Sequence, residues 1–178
     1  MKTQIRQAAG FAVLEVLLTL LIMAFGMIAL LTVQHRAMAM ESEAQQRAQA
    51  VVLLTDIAER VNANRTEAAA YEAAWVGAGQ PRDCDAEPDR VQRDLCEWAN
   101  LLRGATVIEG TAPVGAMHGA RGCIVRAGPN ALRIAVAWQG FSGGVAPSTV
   151  CGEREFGADD GFRRAISIVM QVADLDAI

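Results

Sequence analysis

Histidine, lysine and tyrosine are nearly absent from this 178-residue chain: Lys2 is its single lysine, Tyr71 its single tyrosine, and His35 and His118 its two histidines. A glycine-rich phosphate loop closed by a lysine is therefore excluded, and beyond residue 35 only His118 offers an imidazole for general-base or metal chemistry. No proline precedes Pro81, so nothing forbids a long helix in the first part of the chain. Charge is also scarce in one place. From Phe11 to Val33, 23 residues carry one ionisable group, Glu15, whereas residues 63–178 hold 26 of the 36 Lys, Arg, Asp and Glu side chains. A formal net charge of −4 argues against a broad basic surface for duplex nucleic acid, and an apolar share of 52% is too high for a disordered chain. There is no internal repeat and no low-complexity tract. This is the arithmetic of one membrane segment followed by one modest water-exposed domain.

The first ten residues, MKTQIRQAAG, contain two cations, Lys2 and Arg6, no acid, and Gly10 directly before the apolar run. As a helix that run is roughly 34 Å long, enough to cross a hydrocarbon core of about 30 Å. Basic residues ahead of a first apolar segment hold that end in the cytoplasm, which places the larger domain outside. The run is longer than a secretory signal core and continues into a polar helical stretch, so it is expected to be retained. Glu15 is the anomaly, because a carboxylate near the membrane centre costs about 2.5–3.5 kcal/mol. It is either lightly penalised near the interface or paired with a cation. Cutting the chain after Gly10 would supply one: the new α-amino group of Phe11 lies one helical turn away, on the same chain or on a neighbouring copy.

Helix-forming residues continue to the low sixties, with Ala50, Leu53, Leu54, Ile57, Ala58 and Val61 at helical spacing and Glu59 and Arg60 on another face. One helix is thus expected from about Phe11, with Gly26 a neutral small residue and His35 exposed. Residues 77–90 read as a solvated loop; Asp83, Asp85, Glu87 and Asp89 lack the glycine and terminal glutamate of a calcium loop. Val91, Leu95, Trp98 and Leu102 mark a short amphipathic helix stopped at Gly104. The period then changes. Thr106-Val107-Ile108 and Gly122–Arg126 read as strands, and a turn follows at Gly128-Pro129-Asn130. Leu132, Ile134, Val136 and Trp138 alternate with Arg133, Ala135 and Ala137 as a half-buried strand. After a Gly/Ser/Pro-rich excursion from Gly140 to Asp160, Ile166, Ile168, Met170 and Val172 alternate again. The fold class is α+β: a long helix, a connecting helical region and three or four antiparallel strands. Cys84, Cys96, Cys123 and Cys151 all fall outside the apolar run, which favours two disulfides over zinc, since no Cys-x-x-Cys pair exists. Three pairings are open, of which we expect Cys84–Cys96 and Cys123–Cys151. No metal or cofactor is expected.

Gly10-Phe11-Ala12-Val13-Leu14-Glu15-Val16, after a short basic leader and before a long apolar helix, resembles the class III signal of type IV pilins and type II secretion pseudopilins. The resemblance implies cleavage between Gly10 and Phe11 by a prepilin peptidase, N-methylation of Phe11, and a role for Glu15 in subunit register. It also implies the pilin fold, a small antiparallel sheet packed on the outer half of the first helix, and a disulfide-bounded C-terminal region of the kind Cys123–Cys151 would make. The expected organisation is a leader at 1–10, a membrane or filament-core helix at 11–33, its outer half at 34–63 and a periplasmic domain at 64–178.

Further along, Asp94-Leu95-x-x-Trp98, Arg121-Gly122-Cys123-Ile124, Ile134-x-Val136-x-Trp138-Gln139-Gly140 and Arg163-Arg164-Ala165-Ile166-Ser167 resemble the PilV family of minor pilins. That likeness implies partners: the prepilin peptidase, other minor pilins and the major pilin, an inner-membrane assembly platform and a tip adhesin. It implies residence in the inner membrane, then in the pilus tip, and a structural task without catalysis. The alternatives are a minor pseudopilin, a membrane-anchored enzyme using His118 with Ser142 or Ser148, and a DNA-binding pilin. For the last, Arg163-Arg164 is too small a basic patch, and Asp159-Asp160 reads as a polar turn rather than a metal pair.

Overall fold

The computed structural model describes residues 9–104, 108–109, 112–113, 117–157 and 159–173. Lys2 and Arg6 of the leader, and Thr106 and Val107 of the first expected strand, lie outside these residues. Helix α1 runs unbroken for 55 residues, Ala9–Ala63, straight through Gly26. A 3-10 turn follows at Arg65–Tyr71. Next come β1 (Ala73–Val76), α2 (Arg90–Leu102), β2 (Ile108–Glu109), β3 (Ala112–Pro113), β4 (Arg121–Gly128), β5 (Ala131–Gln139) and β6 (Arg163–Gln171). Helix α2 starts where the Asp89 carboxylate accepts from the Gln92 backbone N–H, 3.3 Å away. It stops at Gly104, whose φ of +68° few other residues adopt.

Strands β4, β5 and β6 follow one another as antiparallel neighbours, and β1 adds to the outside of β4, giving the order β1-β4-β5-β6. The short β1 was not legible as a strand. Its pairing to β4 advances from Ala73↔Ile124 to Val76↔Gly122, three residues against two, and Trp75 takes up the extra residue at φ +63°. A separate two-stranded ribbon joins β2 to β3. The result is the expected α+β fold, a long N-terminal helix with a small antiparallel four-stranded sheet.

The chain divides into two compact units, Met1–Ser42 and Glu43–Ile178. In the second, Ala50, Leu54, Ile57 and Val61 of α1 are buried in one core with Val91, Trp98 and Leu102 of α2. Ile124 of β4 and Leu132, Ile134, Val136 and Trp138 of β5 complete it. Burying a Leu, Ile or Val is worth about 1.5–3 kcal/mol each, so the outer half of α1 is part of this core rather than a stalk beneath it. One expectation needs correction. Strand β5 is buried on both faces from Ile134 to Trp138, not half-buried, because Cys123, Ala135, Ala137, Cys151 and Phe156 form a second apolar layer on the far side of the sheet. Arg133 is the exposed exception within the strand.

Trp98 joins the layers. Its indole Nε1 donates to the Leu53 carbonyl of α1 at 3.0 Å, and its ring lies over Gly122 of β4. A Cβ at residue 122 would stand 2.3 Å from the Trp98 ring. Gly122→Ala should therefore cost about 1–3 kcal/mol, the usual range for overpacking; a denaturant midpoint equal to that of the parent would contradict this packing.

Candidate functional site

The functional residues expected from the sequence lie in two places. The first is the start of α1. The backbone of Gly10 and Phe11 is already helical, and Glu15 follows Phe11 by one turn on an exposed surface. Among the described residues Glu15 makes no ion pair. From Val13 to Val33 every side chain is exposed, and this stretch is apolar on all sides of the helix, with an 18-residue window of mean hydropathy 2.7. A helix apolar all round belongs in lipid or in a bundle of like helices. Its hydroxyls fit that setting: Thr19 donates to the Val16 carbonyl at 2.9 Å and Thr32 to the Ile28 carbonyl at 3.0 Å, so neither donor needs water.

The second place is the distal face of the sheet, closed by a disulfide between Cys123 and Cys151; a second disulfide joins Cys84 to Cys96. Around the first, Arg163 and Arg164 depart from the surface patch that their sequence suggests. Arg163 is buried. Its guanidinium donates to the carbonyls of Thr149, Cys151 (2.9 Å) and Pro147 (3.2 Å) and sits 3.3 Å from Asp160. Arg164 donates to the Ser142 carbonyl at 2.7 Å. Both arginines hold the Gly140–Asp160 excursion down instead of facing a ligand. The Asp159-Asp160 pair is taken up in the same turn, where Asp160 accepts from the Arg154 N–H and Asp159 from the Gly161 N–H.

The other candidates are not assembled into a catalytic or metal centre. His118 shares a cleft of about 650 Å³ with Gln46, Phe141 and Phe162. No hydrogen bond joins it to Ser142 or Ser148 among the described residues; Ser142 Oγ instead donates to Glu43 at 2.9 Å. The acidic loop is spent on local structure: Asp83 accepts from the Asp85 N–H, Asp89 caps α2, and Glu87 stands 3.7 Å from Arg82. No group of three or more potential metal ligands occurs among the described residues.

Sequence reasoning missed one polar network. Arg60 reaches Asp56 at 2.9 Å, Asp94 at 3.2 Å and also Glu97. The hydroxyl of buried Tyr71 donates to the other Asp94 oxygen and accepts from Asn64 at 3.3 Å. Burial lowers the Arg60 pKa, yet Glu97 and Asp56 outweigh it and leave the guanidinium more firmly protonated. Asp94 and Trp98, one turn apart on α2, thus both tie that helix back to the core. The signal available was an aspartate on the apolar stripe of an amphipathic helix.

Residues 32–97, from the end of the apolar run through most of α2, match the family model described as Tt1218-like, "Type IV pilin Tt1218". No curated protein matches, and no solved structure matches. An apolar helix bare from Val13 to Val33, a small antiparallel sheet packed on its outer half and this family match agree with the α+β class of the type IV pilin fold. Over residues 32–97 the chain is similar to a type IV pilin family.

Burial first, then the hydrogen bond to Asp94, pushes the Tyr71 phenol from 10.0 up to about 12. A raised acid contributes stability that is complete below its unfolded pKa of about 10 and lost as pH climbs through the folded value. Unfolding free energy should therefore hold level up to about pH 10 and fall towards pH 12. Tyr71→Phe should flatten that decline. As the sole tyrosine, Tyr71 can be followed by its own phenolate absorbance, and ionisation with the midpoint of a free tyrosine would sink the assignment.

Proposed function

We propose that this chain is a type IV pilin and a minor subunit of the pilus, of the PilV type, which joins other minor pilins to prime assembly and then occupies the tip. The observation that carries the reading is the apolar helix with one acid, Glu15, placed one turn after Phe11. Among the described residues no cation pairs with that acid. Cleavage after Gly10 would create an α-amino group at Phe11, with the small Gly10 giving the peptidase close access to the backbone. Methylation would keep the amine charged. When the helix leaves lipid for a bundle of like helices, apolar contact is exchanged rather than lost, and packing decides the association. Glu15 then sets axial register by meeting the Phe11 amine of a neighbouring subunit in a medium where such an attraction is strong.

Processed in this way, the precursor waits in the inner membrane with its leader in the cytoplasm and residues 64–178 in the periplasm. The globular domain supplies the lateral contacts that select its neighbours, among them the major pilin, the assembly platform and a tip adhesin. Its task is structural. The inward-turned Arg163 and Arg164 weaken the DNA-binding reading, and the engagement of Ser142 by Glu43 in place of His118 weakens the hydrolase reading.

Two variants test the proposal. Gly10→Val should leave the full-length precursor in the membrane fraction, and a mature chain beginning at Phe11 in that variant would refute the leader assignment. Glu15→Leu should insert and be processed normally but enter filaments at least about a hundredfold less well, since breaking a buried pair costs about 3–5 kcal/mol. Unchanged incorporation would remove Glu15 from the mechanism.

A further inference from the structure

The four-stranded sheet ends in two edges of unlike character. Outer strand β1 has four residues, and its ladder to β4 is broken by the bulge at Trp75. Strand β6 has nine, each paired one-to-one with β5 and without a register break. Folded proteins shield an exposed edge with a charge, a proline, a bulge or a covering segment. Along β6 the first three are missing, since no charge and no proline occurs from Ala165 to Ala173. The Val172 N–H donates inward to the Asn130 carbonyl at 2.8 Å. By alternation, the N–H and C=O groups of Ala165, Ser167, Val169 and Gln171 point away from β5, and they have no backbone partner among the described residues. The middle of the strand is open on both faces of the sheet as well: Ile168 is 37% exposed and Val169 51%.

Open backbone groups beside exposed apolar side chains fit one kind of occupant, another strand. Its chemistry follows from the row across the far face of the sheet. Exposed Arg133 lies in register between Val125 and Val169 and forms no ion pair among the described residues, so it calls for an acid. A strand laid on β6 runs about 9.6 Å from β5, a gap that an arginine and a glutamate span together. The direction follows from the sheet. Three antiparallel steps separate β1 from β6, so the two edges run in opposite senses. Subunits of a filament meet head to tail, one surface against a different surface of the next. In that arrangement the outer first strand of a like-folded neighbour forms an antiparallel ladder with β6. The bulged β1 of this chain cannot supply such a ladder, so the neighbour is not a second copy. We propose that β6 accepts the outer strand of a different pilin-fold subunit, a strand uncharged apart from one acid facing Arg133, and that the β1 edge accepts none. The chain is then an end piece on its β1 side. The inference rests on the reading of the chain as a filament subunit.

The test uses the full-length chain in the membranes of the cell that makes it. A photoreactive benzoylphenylalanine replaces Val169 on β6 or Trp75 on β1, and the adducts are identified by mass. Irradiation should join the Val169 probe to another pilin-fold subunit at least fivefold more than the Trp75 probe. Ser167→Pro deletes one outward N–H, a change that an edge strand tolerates, and should cut the adduct at least fivefold. Ser167→Ala keeps the N–H and should not. Arg133→Glu leaves the backbone untouched and should cut the adduct at least threefold. Equal adducts from both edges, an adduct joining two copies of this chain, one with a protein of another fold, or one indifferent to Ser167→Pro or to Arg133→Glu would each overturn the proposal. No adduct from a chain whose mature N-terminus is Phe11 overturns the added strand and leaves the filament reading intact. No adduct from a chain that keeps residues 1–10 overturns both.

Discussion

Helix α1 must satisfy two different surroundings with one unbroken rod, and the rest of the molecule follows from that constraint. From Val13 to Val33 every side chain is exposed, and the hydroxyls there are satisfied locally. Thr19 and Thr32 bond back to their own helix, and Glu15 makes no ion pair among the described residues. Over its second half the same helix narrows to one apolar stripe, Ala50, Leu54, Ile57 and Val61, and becomes the centre of a folded core. No proline or capping break separates the halves; a change in side-chain pattern alone divides them.

The globular unit is organised to hold that stripe. Trp98 fits because Gly122 offers no side chain, and its indole N–H reaches a helix carbonyl across the core. Asp94 anchors the same face of α2 to Arg60 and Tyr71. A buried carboxylate would be costly alone, but both of its oxygens are occupied, and it contributes a fixed docking angle for α2. On the far side of the sheet the Cys123–Cys151 disulfide and Phe156 close a second layer. That layer lets a long excursion lie down over the sheet.

Arg163 and Arg164 show how composition misleads about surfaces. Two adjacent arginines read as exposed charge, yet both are consumed by backbone carbonyls of the excursion. A segment with little regular hydrogen bonding needs donors from elsewhere, and arginine supplies several in a fixed fork. The charge-free outer surface of that segment is the complement of this arrangement.

The apolar run with its one acid, the amphipathic α2 and the three long strands were legible in the sequence because each depends on local composition or spacing: 23 residues with a single charge, and apolar residues at period 3.6 or 2. What tertiary structure alone decided is whatever depends on contact across the chain. Four residues, Ala73–Val76, become a strand only because β4 has an open edge. Strand β5 is buried on both faces only because a distant cysteine and phenylalanine cover it, and Arg60, Tyr71 and Asp94 meet only because two helices cross there. Periodicity describes which face of an element is apolar. It carries no information about what arrives to cover the other.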